Sequence, residues 1–449
     1  DQLKTELKTL RQVGLLRILK QFLPSREKWR SELPVQTTSK FLINLHSIKS
    51  LYQGYEFKEG SYTVYLPLSA IMKDCADLKN VFPTPTGIKI VKHKGGLGAS
   101  FAAEDQACKT YNFCAASHSE LSLVYNLFYS LGMGPRLYDL IELQFNNGDT
   151  HVAYIMEHID GQDPEQSECE DFVNKIKGLE EKNLVQLINW NGYKDVDFLC
   201  PQCNGNLIKE KRSQKLKYVD LQNFALRDYY SYVKSIALKA VNHSHFGDKS
   251  YLMGGQYLYQ EIPGLNMVAK RSTAKRFQIW KDLLAQSRLT LQGATVIDIG
   301  CNLGLMSAQY LKAQATWVHG IDMPSVIEHA ENILLTLGCT RFSLTGTELN
   351  EQTNLSMHIP DHLKVYSQPF VVSYLAVRKY FHWIHSLADI PWDFMLYEGH
   401  QEEDREKSRA YIEELNQLKP CHIIAESWTA DANSSPRYVA IICSGARRS

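Results

Sequence analysis

The 449-residue sequence has no excess of charge of either sign: Lys and Arg together number 49, and so do Asp and Glu. A chain without net charge sets up no global field that draws it to nucleic acid or to an anionic membrane, although a local basic patch is compatible with a nucleic-acid partner. It has no run of about 18 apolar residues, the length that a membrane-spanning helix needs. It has no internal repeat and no low-complexity tract, which excludes solenoids and biased linkers. Its ten cysteines are scattered, a pattern that suits reduced thiols in a cytoplasmic protein better than a disulfide frame. The one CxxC pair, Cys200 and Cys203, lacks the second pair that a structural zinc site wants. Either Cys169 and one of His243 and His245 complete the set, or these are two free thiols in a turn. The opening stretch, DQLKTELKTLRQVGLLRILKQFLPSREKWR, is charged throughout and helical in period, unlike a signal peptide.

What is present is an ordinary globular composition, 44% apolar and 22% charged. At roughly 150 residues per domain, two or three domains are expected. Leu3, Leu7, Leu10, Val13, Leu16 and Ile18 recur at helical spacing, so 1–38 reads as a helical segment. Residues 39–240 read as an α+β domain, with strand-like pieces KFLINLHSI, YTVYLPL, GIKIVKH and HVAYIMEHI. One helix, SHSELSLVYNLFYSLG, interrupts them and is stopped by Gly132, Gly134 and Pro135. Residues 241–290 read as a mostly helical linker that would cover a neighbouring site. From 291 to 449 strands and helices alternate, which argues for an α/β domain built on a doubly wound parallel sheet.

The stretch ATVIDIGCNLGLMSAQYL, 294–311, carries the most chemistry. TVIDI is the β-branched run of a strand buried on both faces. Asp298 stands before Gly300, and Gly304 opens a helix whose free N–H groups face back to the turn. Glycines there let a ligand approach the backbone closely. An acid before the first glycine suits a cationic ammonium group, directly or through water, rather than a pyrophosphate. The next strand, TWVHGIDM, ends in Asp322, roughly two dozen residues on, where an acid can bind a ribose diol. RFSLTG, PFVVSYLAV, WDFMLYEG, CHIIAESW and RYVAIICSG bring the strands to seven, the last two reading as a hairpin.

On these residues 291–449 resembles a class I S-adenosylmethionine-dependent methyltransferase. The resemblance implies a Rossmann-like seven-stranded sheet with its last strand antiparallel. It implies S-adenosyl-L-methionine as cofactor, with Asp298, Gly300, Cys301, Asn302 and Gly304 in the cofactor loop and Asp322 and Met323 at the ribose. Glu348 falls where the family meets the adenine, and Ser373 and Tyr374 beside the transferring methyl. In AKRSTAKRFQIW, Arg271 and Arg276 read either as a clamp on the cofactor carboxylate or as a solvated basic helix.

No Asn-Pro-Pro-Tyr motif ends the fourth strand, so amide or exocyclic-amine methylation lacks its usual mark. The text there, SYLAVRKYFHWIH, loosely resembles the loop of methyltransferases acting on phosphate monoesters at RNA 5′ ends. Arg378 and Lys379 would then grip phosphate and His382 orient the acceptor; the alternative is a surface helix with an aromatic inner face. Glu398 and His400, after the fifth strand, are candidate general bases.

The N-terminal half resembles, more weakly, a kinase-like fold. Glu120 stands as the αC glutamate and Lys89 as its strand lysine. Asp197 stands as catalytic base, with Asn206 and Asp220 as metal ligands, implying ATP and Mg2+. The step from Asp197 to Asn206 is about four residues longer than a kinase catalytic loop, so a working kinase and a degenerate module both stay open. The two modules together resemble the bifunctional kinase–methyltransferases that cap bacterial O-antigen polysaccharides. The expectation is O-methylation of a sugar hydroxyl or phosphate monoester on a small-molecule or glycan acceptor. The alternative is an RNA-end or small-molecule methyltransferase whose N-terminal half is a substrate-binding scaffold.

Overall fold

The computed structural model describes residues 39–43, 92–93, 96–97, 118–145, 150–156, 159, 161–187, 207–219, 221, 224–241, 258–262, 265, 269–365, 369–377, 381–400, 404–429 and 436–445. The helical segment 1–38 has no described residue. Lys89, Asp197, Cys200, Cys203, Asn206, Asp220, Arg378 and Lys379 also lie outside the described residues.

The N-terminal half holds small sheets. Strands β1 (Ser39–Ile43), β4 (Leu137–Phe145) and β5 (Thr150–Met156) form one, with β4 in the middle, parallel to β1 and antiparallel to β5. β2 (Lys92–His93) and β3 (Gly96–Leu97) form a hairpin. β6 (Gly161–Gln162), β8 (Leu207–Glu210) and β9 (Leu216–Tyr218) form a third sheet, and β7 (Val185–Leu187) pairs with β10 (Phe224–Leu226). Helices α1 (His118–Ser130), α2 (Gln166–Glu181) and α3 (Tyr229–Val241) pack among them. The linker expected to be mostly helical is partly extended instead. β11 (Leu258–Gln260) and β12 (Ala269–Arg271) pair in parallel before α4 (Thr273–Gln286).

The C-terminal domain is the seven-stranded sheet that the alternation predicts. Its strands are β13 (Thr295–Ile299), β14 (Trp317–Asp322), β15 (Phe342–Gly346), β16 (Phe370–Leu375), β17 (Phe394–Glu398), β18 (Cys421–Trp428) and β19 (Tyr438–Ser444). Their spatial order is β15-β14-β13-β16-β17-β19-β18, and only β19 runs antiparallel to its neighbours. Helices α5 (Leu305–Lys312), α6 (Pro324–Thr336), α7 (Asp361–Val365), α8 (Ile384–Asp389) and α9 (Arg405–Leu418) connect the strands. All five residues of β13 are buried, as a central parallel strand requires. Its side chains alternate between two cores. Val296 joins Trp280, Tyr310 and Leu334 on one face, while Ile297 and Ile299 join Leu387, Tyr411 and Leu415 on the other.

The first of these cores does not stop at residue 291. It runs on into Leu123, Phe128, Phe172, Tyr218 and Tyr229 of the N-terminal half. Polar contacts fasten the same junction to the last turn of α6 and beyond. Asn126 Nδ2 donates to the Leu335 carbonyl at 2.9 Å and the Cys339 carbonyl at 3.0 Å. The Tyr229 hydroxyl donates to the Thr336 carbonyl at 3.2 Å, and Arg136 reaches both Glu331 and the Phe342 carbonyl. Among the described residues, no helix is long and apolar enough to cross a membrane.

Candidate functional site

The order of the sheet reverses beside β13: the chain goes outward to β14 and β15, then returns to β16 on the other side. Two connections leaving in opposite directions open a crevice above the carboxyl ends of β13 and β16, the usual ligand position in such sheets. The turn after β13 lies at that crevice. Gly300 (φ +69°), Asn302 (φ +50°) and Gly304 (φ +73°) all take left-handed backbone, which glycine adopts freely and asparagine better than most residues. Asn302 supports its own strained position, its side-chain oxygen accepting the Leu303 N–H at 2.7 Å. A Cβ on Gly300 would stand 2.6 Å from Val377 Cγ2, so the chain passes beneath that side chain with no room for one. The Gly300 N–H donates to the Ile321 carbonyl at 2.8 Å, pinning the turn to β14.

Asp322 closes the turn from the next strand. One carboxylate oxygen accepts the Asn302 N–H at 2.6 Å, and the other accepts the Met323 N–H at 2.7 Å. The two bonds fix the carboxylate against the glycine turn, at the start of α6 where Pro324 sets the first helical φ. Asp298 behaves differently. It lies beneath the turn, accepting from the Ser307 hydroxyl at 2.5 Å and the Ser373 hydroxyl at 2.8 Å. Burial pushes its carboxyl up to about 6, against the lowering by Ser307, Ser373 and the charge of Arg276. Both oxygens of Asp298, expected in the cofactor loop, thus serve hydroxyls in the interior. Ser373 is likewise turned inward, tied to Asp298 and to the Tyr310 hydroxyl. Cys301 is a buried thiol whose pKa burial raises well above the ordinary range.

Glu398, a candidate general base from its place at the strand end, instead has its carboxylate fully buried among three guanidiniums. Oε1 accepts from Arg271 Nη2 and Arg437 Nη1, each at 3.0 Å. Oε2 accepts from Arg276 Nε at 2.8 Å and Nη2 at 2.7 Å. Burial opposes the charge, but Arg271, Arg276 and Arg437 outweigh it and hold the carboxyl down to about 2. A group this acidic takes no proton near neutral pH. Arg276 is correspondingly neither a solvated side chain nor a free clamp: it is 3% exposed and committed to Glu398, two of its nitrogens meeting Oε2.

Glu348, His382 and His400 sit on loops at the same edge of the sheet. Glu348 follows β15 and is exposed. His382 follows β16 and is exposed; its N–H donates to Glu351 and its carbonyl accepts the Tyr411 hydroxyl. Trp383 Nε1 donates to the Asn350 carbonyl at 2.7 Å, clasping the loops after β15 and β16 together, and Phe381 stacks on Trp383. His400 is buried two positions beyond Glu398. Glu120 lies in α1, the helix that packs against α6. Among the described residues, no group of three or more His, Cys, Asp or Glu stands where it could hold a metal ion. Tyr259 and Arg437, absent from the sequence-based candidates, complete the charge cluster. No local signal marks them, since Arg437 and Glu398 are 39 residues apart.

Neither a family model nor a curated protein matches the sequence. Solved structures match in part. A protein described as a hemolysin from Lactococcus lactis is 13% identical over 39% of this chain and 88% of its own, with a TM-score of 0.28. Magnesium protoporphyrin IX methyltransferase from Synechocystis PCC 6803, with bound SAH, is 14% identical over 38% of this chain and 83% of its own, with a TM-score of 0.28. TYW2 of P. horikoshii, in complex with MeSAdo, is 15% identical over 36% of this chain and 61% of its own, also with a TM-score of 0.28. At these scores the likenesses carry nothing further, and the chemistry is read from the residues.

Proposed function

We propose that the chain is an S-adenosylmethionine-dependent methyltransferase. The observation that carries this reading is the side-chain-free turn at Gly300–Gly304, edged by the carboxylate of Asp322 and set over the point where the sheet order reverses. Asp322 would hold the ribose hydroxyls, the turn would run under the amino-acid end, and Glu348 would stand near the base. When bound, the cofactor supplies a methyl group on a positively charged sulfur. This chain's residues contribute alignment more than proton transfer. The turn and Asp322 fix one reactant, and the clasped loops around Trp383 wall one side of the crevice. Holding two reactants in line supplies a large share of the acceleration in such a transfer. No group at the site needs to be a strong base, which agrees with Glu398 being locked as an anion.

We propose O-methylation of a sugar hydroxyl or a phosphate monoester, with His382 and His400 as the groups nearest the acceptor. Lys89, Glu120, Asp197, Asn206 and Asp220 are proposed as a phosphotransferase set acting with ATP and Mg2+ on the same acceptor. Calorimetric titration with S-adenosylhomocysteine tests the first proposal. Saturable binding is expected, with at least a hundredfold loss in Asp322→Ala and an unchanged circular dichroism spectrum. Equal affinity in that variant refutes the assignment. For the second, Lys89→Ala is expected to abolish ATP-Mg2+ binding while leaving S-adenosylhomocysteine binding intact.

A further inference from the structure

The loops that leave β15 and β16 are tied to each other by a set of bonds that cofactor binding at the glycine turn does not require. In the loop after β15, Glu348 is wired to Asn350 through Thr353. The Thr353 hydroxyl donates to the Glu348 carbonyl at 3.1 Å and accepts the Asn350 N–H at 2.9 Å, while the Thr353 N–H donates to the Asn350 carbonyl at 3.0 Å. That same carbonyl accepts the Trp383 Nε1–H at 2.7 Å. A second bond crosses from the Leu355 N–H to the Ser386 hydroxyl at 2.7 Å, and a third from the His382 N–H to the Glu351 carboxylate at 3.2 Å.

Trp383 is held where few side chains rest. Its backbone is left-handed, at φ +37° and ψ +30°, a region that a bulky residue seldom enters. Such a conformation persists only when the surroundings over-determine it, and it gathers at functional sites. Here the constraint comes from the bond to Asn350, from the stacked ring of Phe381 with centroids 4.6 Å apart, and from two tyrosines. The Tyr374 hydroxyl donates to the Phe381 carbonyl, and the Tyr411 hydroxyl to the His382 carbonyl. Trp383 is 4% exposed, and parting a buried indole N–H from its acceptor is costly. The bond therefore favours arrangements in which the two loops shift together.

We propose that Trp383 is a positioning residue that couples the cofactor's base site to the placement of the methyl acceptor. The proposal rests on the methyltransferase reading, in which Glu348 stands near the base and His382 near the acceptor. A base bound against the β15 loop fixes Glu348 and, through Thr353, the Asn350 carbonyl. That carbonyl holds the Trp383 indole, and Trp383 follows His382 directly in the chain. His382 itself is gripped on both sides, by Glu351 at its N–H and by Tyr411 at its carbonyl. The two ends of this chain of bonds, Glu348 and His382, are exposed and able to meet ligands, whereas Trp383 and Ser386 between them are buried. A ligand that orders one loop thereby favours the arrangement of the other, and the effect is reciprocal.

The test follows amide hydrogen exchange in the full chain, alone and with S-adenosylhomocysteine or 5′-methylthioadenosine, which keeps the base but lacks the amino-acid end. In the wild type both ligands should slow exchange across 348–355 and also across 381–388, the latter by about fivefold or more, the lower end of coupling between two sites. Trp383→Phe keeps a ring that can stack but loses the N–H. It should abolish the ligand-dependent slowing at 381–388 and leave that at 348–355. A purely structural tryptophan would instead speed exchange at 381–388 equally with and without ligand, keeping their ratio, and that result overturns the proposal. Glu351→Ala alters an exposed side chain. It should shrink the same ligand-dependent slowing severalfold at an unchanged melting temperature, and it decides the matter alone if Trp383→Phe does not fold. The proposal is also overturned if the ligands slow exchange at 348–355 only in the wild type, or if each variant that folds keeps the full slowing at 381–388. If calorimetry shows that S-adenosylhomocysteine does not bind at all, the methyltransferase reading falls, and the coupling with it.

Discussion

Asp298 and Glu398 are both buried carboxylates, and their surroundings drive them in opposite directions. Asp298 has only hydroxyl donors in contact, so desolvation dominates and its carboxyl rises from 3.8 to about 6. The folded protein therefore holds that proton more tightly than the unfolded chain does. This contribution to stability is complete below pH 3.8 and is lost as pH rises to about 6, a change of about 3 kcal/mol at one pH unit per 1.4 kcal/mol. Asp298→Asn removes the titration. Its melting temperature relative to wild type should climb between pH 4 and 6 and then level off; a difference that is flat across that range contradicts the assignment. Glu398 is the reverse case. Its carboxyl falls from 4.5 to about 2 under three guanidiniums, so its stabilisation is present above pH 4.5 and disappears as pH falls toward 2. Glu398→Gln should destabilise strongly at pH 7, because it leaves three buried cations without their anion, and the penalty should shrink through that acid window. The sequence displays one of these environments and hides the other. Asp298 announces itself because Gly300 and Gly304 follow it directly in the chain. Glu398 reads as an unremarked strand-end acid, because its arginines lie 39, 122 and 127 residues away.

Among the elements, the strand–turn–helix of β13 and α5 shows how tightly the backbone is specified. A Cβ on Gly304 would meet Leu334 side-chain carbons at 2.9 Å, and φ there is +73°. Gly304→Ala should cost about 1–2 kcal/mol from the left-handed backbone alone, with further loss from displacing Leu334. Chemical denaturation measures it, and a loss under 0.5 kcal/mol would show that the turn relaxes freely. The elements of the C-terminal sheet were legible in sequence because each buried strand is a short β-branched run followed by a helical period. β11 and β12 were not, since three-residue strands give too short a pattern to separate from the flanking helical text. β4 is likewise hard to recognise as a strand from its residues. It sits at the centre of its sheet with neighbours on both sides, and LYDLIELQF alternates too weakly to declare it. The role of α4 was visible only in outline: its Trp280 is fully buried in the core shared by both halves. Trp280→Ala should therefore cost about 3–5 kcal/mol, read as a lowered denaturation midpoint.

At the scale of the whole molecule, the shared core means that the two halves are not independent beads. Cutting the chain near residue 291 would strip Leu123, Phe128 and Tyr229 from the surface that they cover. The isolated C-terminal domain should expose a contiguous apolar patch and aggregate, a result visible as a broad high-mass peak in size-exclusion chromatography. Composition hinted at two or three domains but could not show this junction, since cross-boundary contacts such as Asn126 to Leu335 span 209 residues. That same contact has a mechanical corollary. α6 is a rod of about 20 Å at 1.5 Å per residue, and its two ends are held by different masters. At its start, Met323 is bonded to the acid that edges the glycine turn; at its finish, Asn126 and Tyr229 grip the last carbonyls. If the helix moves as one body, a shift of the far end would carry the near one with it. Loosening the grip with Asn126→Ala, well away from any ligand, should weaken S-adenosylhomocysteine severalfold, and unaltered affinity would mean that the rod idles.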